Sequence, residues 1–198
     1  MLGKASFFLA VDEGPSDIIE VEKSELLLEK LEPHPNLQHL TVEHFKDFTS
    51  LPLFPSLHQE LRLEHAKARL LRETMATSSS SLILAPLSKL KHLYLEAIPD
   101  LESLPQLQNL TSLQKLEILS CPKLASMSQD MGRLKCLQHL KIVDCDELIS
   151  DDSDAMEWGD LGSLQSLNIR GLPKLTSPPK GLQFVTNRQE LTSIIVLV

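Results

Sequence analysis

The stretch from Leu113 to Met127 reads LQKLEILSCPKLASM, and its apolar spacing decides the fold. The apolar residues follow one another at intervals of three, two, three, three and three: Leu113, Leu116, Ile118, Cys121, Leu124 and Met127. An amphipathic helix repeats every three or four residues and a half-buried strand alternates, so neither pattern alone explains the stretch. The two-residue step from Leu116 to Ile118 predicts a short strand, and the three-residue steps around it predict a return loop.

The same pattern recurs along the chain. It also starts at Leu90, Leu137 and Leu164, so that successive starts lie 23, 24 and 27 residues apart. One strand and one return loop per unit of this length is the pattern of leucine-rich repeats. We therefore predict an α/β leucine-rich-repeat solenoid, in which a curved parallel sheet is backed by a convex side of mostly irregular or short helical segments.

The repeat divides the chain into three parts. Residues 1–25 carry no clear repeat and are interpreted as an amino-terminal extension or cap. Residues 26–191 are predicted to form the repeat domain, with about six to seven units, and residues 192–198 an apolar carboxyl-terminal tail. Residues 64–86 lengthen one unit, with a helical pattern up to Ala76 and a loop after it.

The second repeat departs from the spacing. After Leu57, the strand leucines Leu61 and Leu63 come one residue late. A slip in register would turn these leucines toward solvent, so we predict an extra residue near His58 or Gln59 that bulges before a strand still in register.

Composition narrows the class of protein. The net charge is −8, but Asp144 to Asp160 alone contains eight acidic residues and no Lys or Arg, and the rest of the chain is balanced. No basic stretch suggests nucleic acid, and no apolar run reaches the length of a membrane span. Cys121 and Cys145 occupy the same place in consecutive units, and the cysteine count is odd. We predict free buried thiols, which fit a reducing compartment.

The outward positions of the predicted strands are where recognition is expected. They alternate with the core leucines and should form one exposed face, on which Glu117 and Lys141 are neighbours. Tyr94, Leu119 and Val143 suggest a small apolar patch for a partner, although isolated exposed apolar residues are also normal. The candidate protein-binding residues are His92, Tyr94, Glu96, Lys115, Glu117, Leu119, His139, Lys141, Val143, Asn168 and Arg170.

Catalytic and metal chemistry have no clear carriers in the sequence. His39, His92 and His139 share one row of the predicted sheet but belong to separated units, too far apart for a single metal. The acidic residues from Asp151 to Asp160 lack the alternating ligands, central glycine and closing glutamate of a calcium loop. No nucleophile, general base or phosphate-binding loop is apparent, so we predict a protein that is not an enzyme and needs no cofactor.

Several phrases resemble the carboxyl-terminal repeats of plant disease-resistance proteins of the nucleotide-binding, leucine-rich-repeat family. The phrases are LEPHPNLQHLTVEHF (31–45), LSKLKHLYLEAIPDLESLP (87–105), LTSLQKLEILSCPKLASM (110–127) and GLPKLTSPPKGLQFVTNRQEL (171–191). The turn from Ile118 to Leu124, with its Cys-Pro pair, is also similar to that of the cytoplasmic members. Arg188 and Ile194 depart from the pattern in the last unit.

The resemblance implies a protein-recognition module of plant innate immunity. In that family the repeats sense a pathogen effector or a guarded host protein and hold a nucleotide-binding switch inactive. No phosphate-binding loop is present, so the chain resembles the recognition region alone. The implied partners are therefore an effector, a guarded host protein or a nucleotide-binding domain. The alternative is a leucine-rich-repeat scaffold or substrate adaptor outside immunity.

Overall fold

The fold is built on one continuous sheet. The computed structural model describes residues 6–11, 37–44, 57–76, 87–127, 129–149, 161–175 and 193–197. The strands are β1 (Ser6–Val11), β2 (Leu37–Glu43), β3 (Glu60–Glu64), β4 (His92–Glu96), β5 (Lys115–Leu119), β6 (His139–Val143), β7 (Ser166–Arg170) and β8 (Ser193–Leu197). One α-helix, α1 (Ala68–Ala76), follows β3, and a 3-10 helix covers Gln129–Arg133.

The strands stand side by side in chain order. β1 pairs antiparallel with β2, and each later strand pairs parallel with the one before it. Parallel neighbours require a crossover connection between them. The parallel, solenoid-like stack with few helices that the sequence predicts is confirmed.

The core is a column of aliphatic side chains that runs from β2 to β7. Leu116 pairs in register with Leu93 on one side and Leu140 on the other, and Ile118 stands in the same way beside Ile142. Each of these side chains is at most 1% exposed. Full burial of one such side chain contributes about 1.5–3 kcal/mol, so the repeated leucines hold the units together.

A left-handed residue ends the strand of each described unit from β2 to β7. The φ angle is +52° at Ser120 and +54° at Asp144, and similar positive values occur at His44, His65 and Ala97. The amide of each of these residues donates to the carbonyl of the last residue of the next strand, as from Ser120 N to Val143 O at 2.9 Å. The chain therefore turns sharply while the inter-strand ladder gains one more bond.

Gly171 is the one glycine among these left-handed residues, with φ of +66°. A β-carbon at Gly171 would lie 2.1 Å from Asp144 Oδ1. Glycine is favoured here because it adopts this conformation without strain, and because a β-carbon would force the Asp144 side chain to move.

The helix of the long unit is shorter than predicted. The sequence predicts it from Glu64, but Glu64 is the last residue of β3 and His65 is left-handed, so α1 begins at Ala68. The amide of Ala68 donates to Asp100 Oδ1 at 2.9 Å, and Asp100 belongs to the following unit. A carboxylate at this end satisfies an amide that the helix leaves unpaired.

The hydrogen bonds place the extra residue before β3 at His58, one of the two positions that the spacing allows. In later units one carbonyl accepts two amides, as Lys91 O does from Gln114 and Lys115. At the start of β3 two different carbonyls accept these bonds: Lys91 N donates to His58 O and His92 N donates to Gln59 O, each at 2.9 Å. The strand keeps its register, and Leu61 pairs with Leu93.

Both ends of the chain contribute strands. β1 lies within the predicted amino-terminal cap, and β8 lies within the predicted tail. Ile194, which the sequence places one residue late, pairs in register with Leu167. The loop after α1 and the acidic stretch over 150–160 lie outside the described residues.

Candidate functional site

The candidate site is the outward face, which we define as the side of β2 to β7 opposite the leucine column. The register aligns its residues in three rows. The first row is His39, Glu60, His92, Lys115, His139 and Ser166. The middle row is Thr41, Arg62, Tyr94, Glu117, Lys141 and Asn168. The last row is Glu43, Glu64, Glu96, Leu119, Val143 and Arg170. All eleven predicted candidates lie on β4 to β7 of this face.

Glu117 is at the centre of an ion-pair network. Its carboxylate lies 2.7 Å from Lys115 Nζ, 2.9 Å from His92 Nε2 and 3.5 Å from Lys141 Nζ. The residue is only 7% exposed. Burial alone raises the pKa of Glu117, but Lys115 and then His92 outweigh it, so the pKa lies below its usual value. The predicted pairing of Glu117 with Lys141 is confirmed.

His92 lies between two carboxylates from neighbouring strands. Its Nδ1 is 3.0 Å from Glu60 Oε1, and its Nε2 is 2.9 Å from Glu117 Oε2. A carboxylate only accepts hydrogen bonds, so both contacts are hydrogen bonds only when the ring carries two protons. Burial favours the neutral ring and lowers the pKa of His92, while Glu60 opposes that shift. His92 therefore stands between β3 and β5, and it donates one hydrogen bond when the ring is neutral and two when it is protonated.

Tyr94 is covered by a cation. The guanidinium carbon of Arg62 lies 3.6 Å from the ring centroid, and the ring of His92 meets Tyr94 edge-on. The Tyr94 hydroxyl donates to Glu96, and Arg62 also pairs with Glu64. Burial raises the pKa of Tyr94 and its hydrogen bond to Glu96 adds to the shift, so the phenol stays protonated. The cation–π contact and these ion pairs order this part of the face.

The predicted exposed apolar patch is wrong. Tyr94 is 9% exposed and Val143 is 4% exposed, and Leu119 is only partly exposed. Arg62 lies over the Tyr94 ring, and Val143 is a short side chain between Leu119 and Arg170 in the last row. Alternation alone does not reveal this, because it gives the side of the sheet and not the length of the neighbouring side chains.

The face changes in charge from one end to the other. On β2 to β4 four glutamates stand against the single cation Arg62. On β5 to β7 three cations stand against the single carboxylate of Glu117. His139 and Arg170 are the most exposed residues of this basic half. The outward face is therefore acidic at its first strands and basic at its last.

Three features of this region are not evident from residue types alone. Arg62, which the candidate residues omit, is brought over Tyr94 once the extra residue at His58 is placed before β3. The rings of His44 and His65 stack with centroids 4.5 Å apart, because both follow their strands in the left-handed turn. Asn168 Oδ1 is buried and has no hydrogen-bond partner among the described residues.

The predicted free thiols at Cys121 and Cys145 are confirmed. Both are fully buried behind the left-handed turn, and their S–H groups point at the carbonyls of Leu119 and Val143 at 3.5 and 3.6 Å. The hydrogen bond with the Cys145 thiol and then burial raise the pKa of Cys121, so the Cys121 thiol stays protonated. These cysteines fill the core and satisfy turn carbonyls weakly.

No model of a known protein family matches the chain, and no curated protein matches it. Among the described residues, no group of three or more His, Cys, Asp or Glu side chains is arranged to hold a metal ion. None of the helices described is long and apolar enough to cross a bilayer.

Proposed function

We propose that this chain is a leucine-rich-repeat protein-recognition module that docks a partner protein on the outward face, and that it acts in plant innate immunity. The proposal of docking is based on the outward face, which is ordered and bears charges of both signs. A rigid parallel sheet presents acidic side chains on β2 to β4 and basic side chains on β5 to β7. Complementary charge of this kind fixes the orientation of a partner and speeds its encounter.

The proposed contact residues are those that the network leaves exposed. Lys115 and Lys141 are 43% and 38% exposed at their side chains, although both touch Glu117. His139 and Arg170 extend the basic half. Tyr94, Glu117 and Val143 are buried and act as the platform that holds these groups, so they contribute to binding by positioning rather than by direct contact.

The proposed partner has an acidic surface opposite β5 to β7 and a basic surface opposite β2 to β4. The immune assignment rests on the phrases that resemble plant resistance proteins, which imply an effector, a guarded host protein or a nucleotide-binding domain. The absence of a phosphate-binding loop in the sequence separates recognition from nucleotide chemistry. The cytoplasmic location is part of the same proposal.

The test is affinity capture from plant cytosol with three forms of the full chain. H139E/R170E reverses the basic half of the face, and the control Q106E/K123E introduces the same change in net charge at exposed positions beyond the strands. A partner of the outward face is retained by the wild type and the control and lost by H139E/R170E. Docking on this face would be contradicted if both variants lost the partner, or if both retained it.

The identity of that partner decides between the two functions. Effectors, guarded host proteins or nucleotide-binding domains of resistance proteins support the immune role. Ligase subunits support the alternative, a leucine-rich-repeat substrate adaptor outside immunity. Because only partners lost with H139E/R170E count, non-specific capture does not decide the question.

A further inference from the structure

A second surface lies at the amino-terminal ends of the strands, off the outward face. It is an open cleft of about 560 Å³, lined by residues of four consecutive units: His58, Lys89, Lys91, Ser112, Gln114 and Cys136. The volume falls in the range of small-molecule sites. None of the six lining residues is acidic, although the chain as a whole carries a net charge of −8.

We propose that this cleft binds a small anion, a molecule with phosphate or carboxylate groups, through Lys89 and Lys91. Neither lysine forms an ion pair with a carboxylate in the part of the chain that the structure describes. Among the described residues both ammonium groups are thus available to a ligand, and Ser112 and Gln114 supply polar groups beside them.

The backbone holds these residues in place. Lys89, Ser112 and Cys136 each stand three residues before their strands, so the repeat aligns them in one row. Lys91 N donates to His58 O, and Gln114 N donates to Lys91 O at 2.8 Å. A site on a fixed backbone loses less freedom when it binds a ligand, which favours binding even with few contacts.

The cleft contains its own reporter. Cys136 is exposed, whereas Cys121 and Cys145 are buried, so a thiol reagent should modify Cys136 first in the folded protein. A negatively charged methanethiosulfonate and a positively charged one of similar size measure the local potential. The rate of each reagent with Cys136 is divided by its rate with a small free thiol. On this scale the anionic reagent should react about fivefold faster at low ionic strength.

Binding itself is measured with the neutral reagent iodoacetamide, because its approach does not respond to screening by salt. Pyrophosphate and citrate are added separately at constant ionic strength, and mass spectrometry locates the label on Cys136. A small anion held by two lysines should slow labelling saturably, with half-saturation on the order of 1 mM. Slowing by pyrophosphate alone identifies a phosphate site, and slowing by both identifies a general anion site.

The variant K89E/K91E should remove both the charge preference and the protection. K89Q/K91Q should remove most of the protection without adding carboxylates, which guards against a folding defect in the first variant. K67E/K123E changes net charge as much as K89E/K91E at exposed lysines outside the cleft and should keep both effects. Labelling that neither anion slows, or protection that survives K89E/K91E, would overturn the site.

Discussion

Glu117→Gln gives the sharpest test of the ion-pair network. The substitution keeps the shape of the side chain but removes the charge that Lys115, His92 and Lys141 approach at 2.7, 2.9 and 3.5 Å. Hydrogen bonds to a charged group contribute about 1.5–3 kcal/mol when buried, but the two lysines are about 40% exposed and screened. We therefore expect the free energy of unfolding to fall by about 1–2 kcal/mol at pH 7.

The assay is urea unfolding followed by circular dichroism between pH 3.5 and 7.5. With a slope of about 2 kcal/mol/M, the urea midpoint should fall by about 0.5–1 M at pH 7, with the slope unchanged. The pKa of Glu117 is lower in the folded chain than in the unfolded one, where it is near 4.5. Its contribution is therefore complete above pH 4.5 and is lost as the pH falls through the folded value.

The difference between wild type and E117Q should accordingly shrink below pH 4.5. Glu147→Gln is the matched control, because Glu147 pairs with Lys174 and both side chains are 49% exposed. The free energy of unfolding of Glu147→Gln should differ from that of the wild type by well under about 1 kcal/mol at any pH. Equal midpoints for wild type and E117Q at pH 7, or a gap that persists unchanged at pH 3.5, would refute the role given to the network.

Three further predictions concern residues outside the ion-pair network. Asp100→Ala should lower the free energy of unfolding by about 1 kcal/mol, since the amide of Ala68 loses its acceptor, and urea unfolding measures the loss. Gly171→Ala should cost at least about 1 kcal/mol, because the residue is left-handed and its new β-carbon meets Asp144, and Asp144→Ala in the same chain should recover part of the loss. A colorimetric thiol reagent should titrate one cysteine rapidly in the folded chain, Cys136, and all three in urea, so rapid reaction of three would contradict the buried positions.

The sequence predicts the sheet well because each unit repeats the same physical requirement. Leu116 and Ile118 must face a core that no single unit can bury, so their spacing determines strand, register and stacking direction together. The shift before β3 could be located at His58 or Gln59 for the same reason, since a slip would expose Leu61 and Leu63. One local error occurs where two elements compete, at Glu64, which belongs to β3 and not to α1.

The candidate site was harder to predict, because exposure depends on neighbours that alternation does not describe. Tyr94 lies on the predicted side of the sheet, but Arg62 from the adjacent strand covers it. Glu117 is similarly enclosed by two lysines and a histidine from three strands. Side-chain length and pairing across strands decide such burial, and they become visible only when the register is known.

The left-handed turns were also invisible in the residue types. Ser120, Asp144 and Ala97 adopt the same positive φ as Gly171, although only glycine adopts it without a steric penalty. Each of these residues gains an inter-strand hydrogen bond and a sharp turn in exchange for the unfavourable backbone conformation. A repeated fold can thus impose one conformation on unrelated side chains.

The most direct test of docking on the outward face is the affinity of a captured partner for variants of that face. The dissociation constant is measured by biolayer interferometry for the wild type, H139E/R170E and Q106E/K123E at two salt concentrations. We predict at least about a tenfold weakening for H139E/R170E, a change below about twofold for Q106E/K123E, and weaker wild-type binding at the higher salt concentration. Equal affinity of the wild type and H139E/R170E would contradict the proposal that the basic half of the sheet contacts the partner.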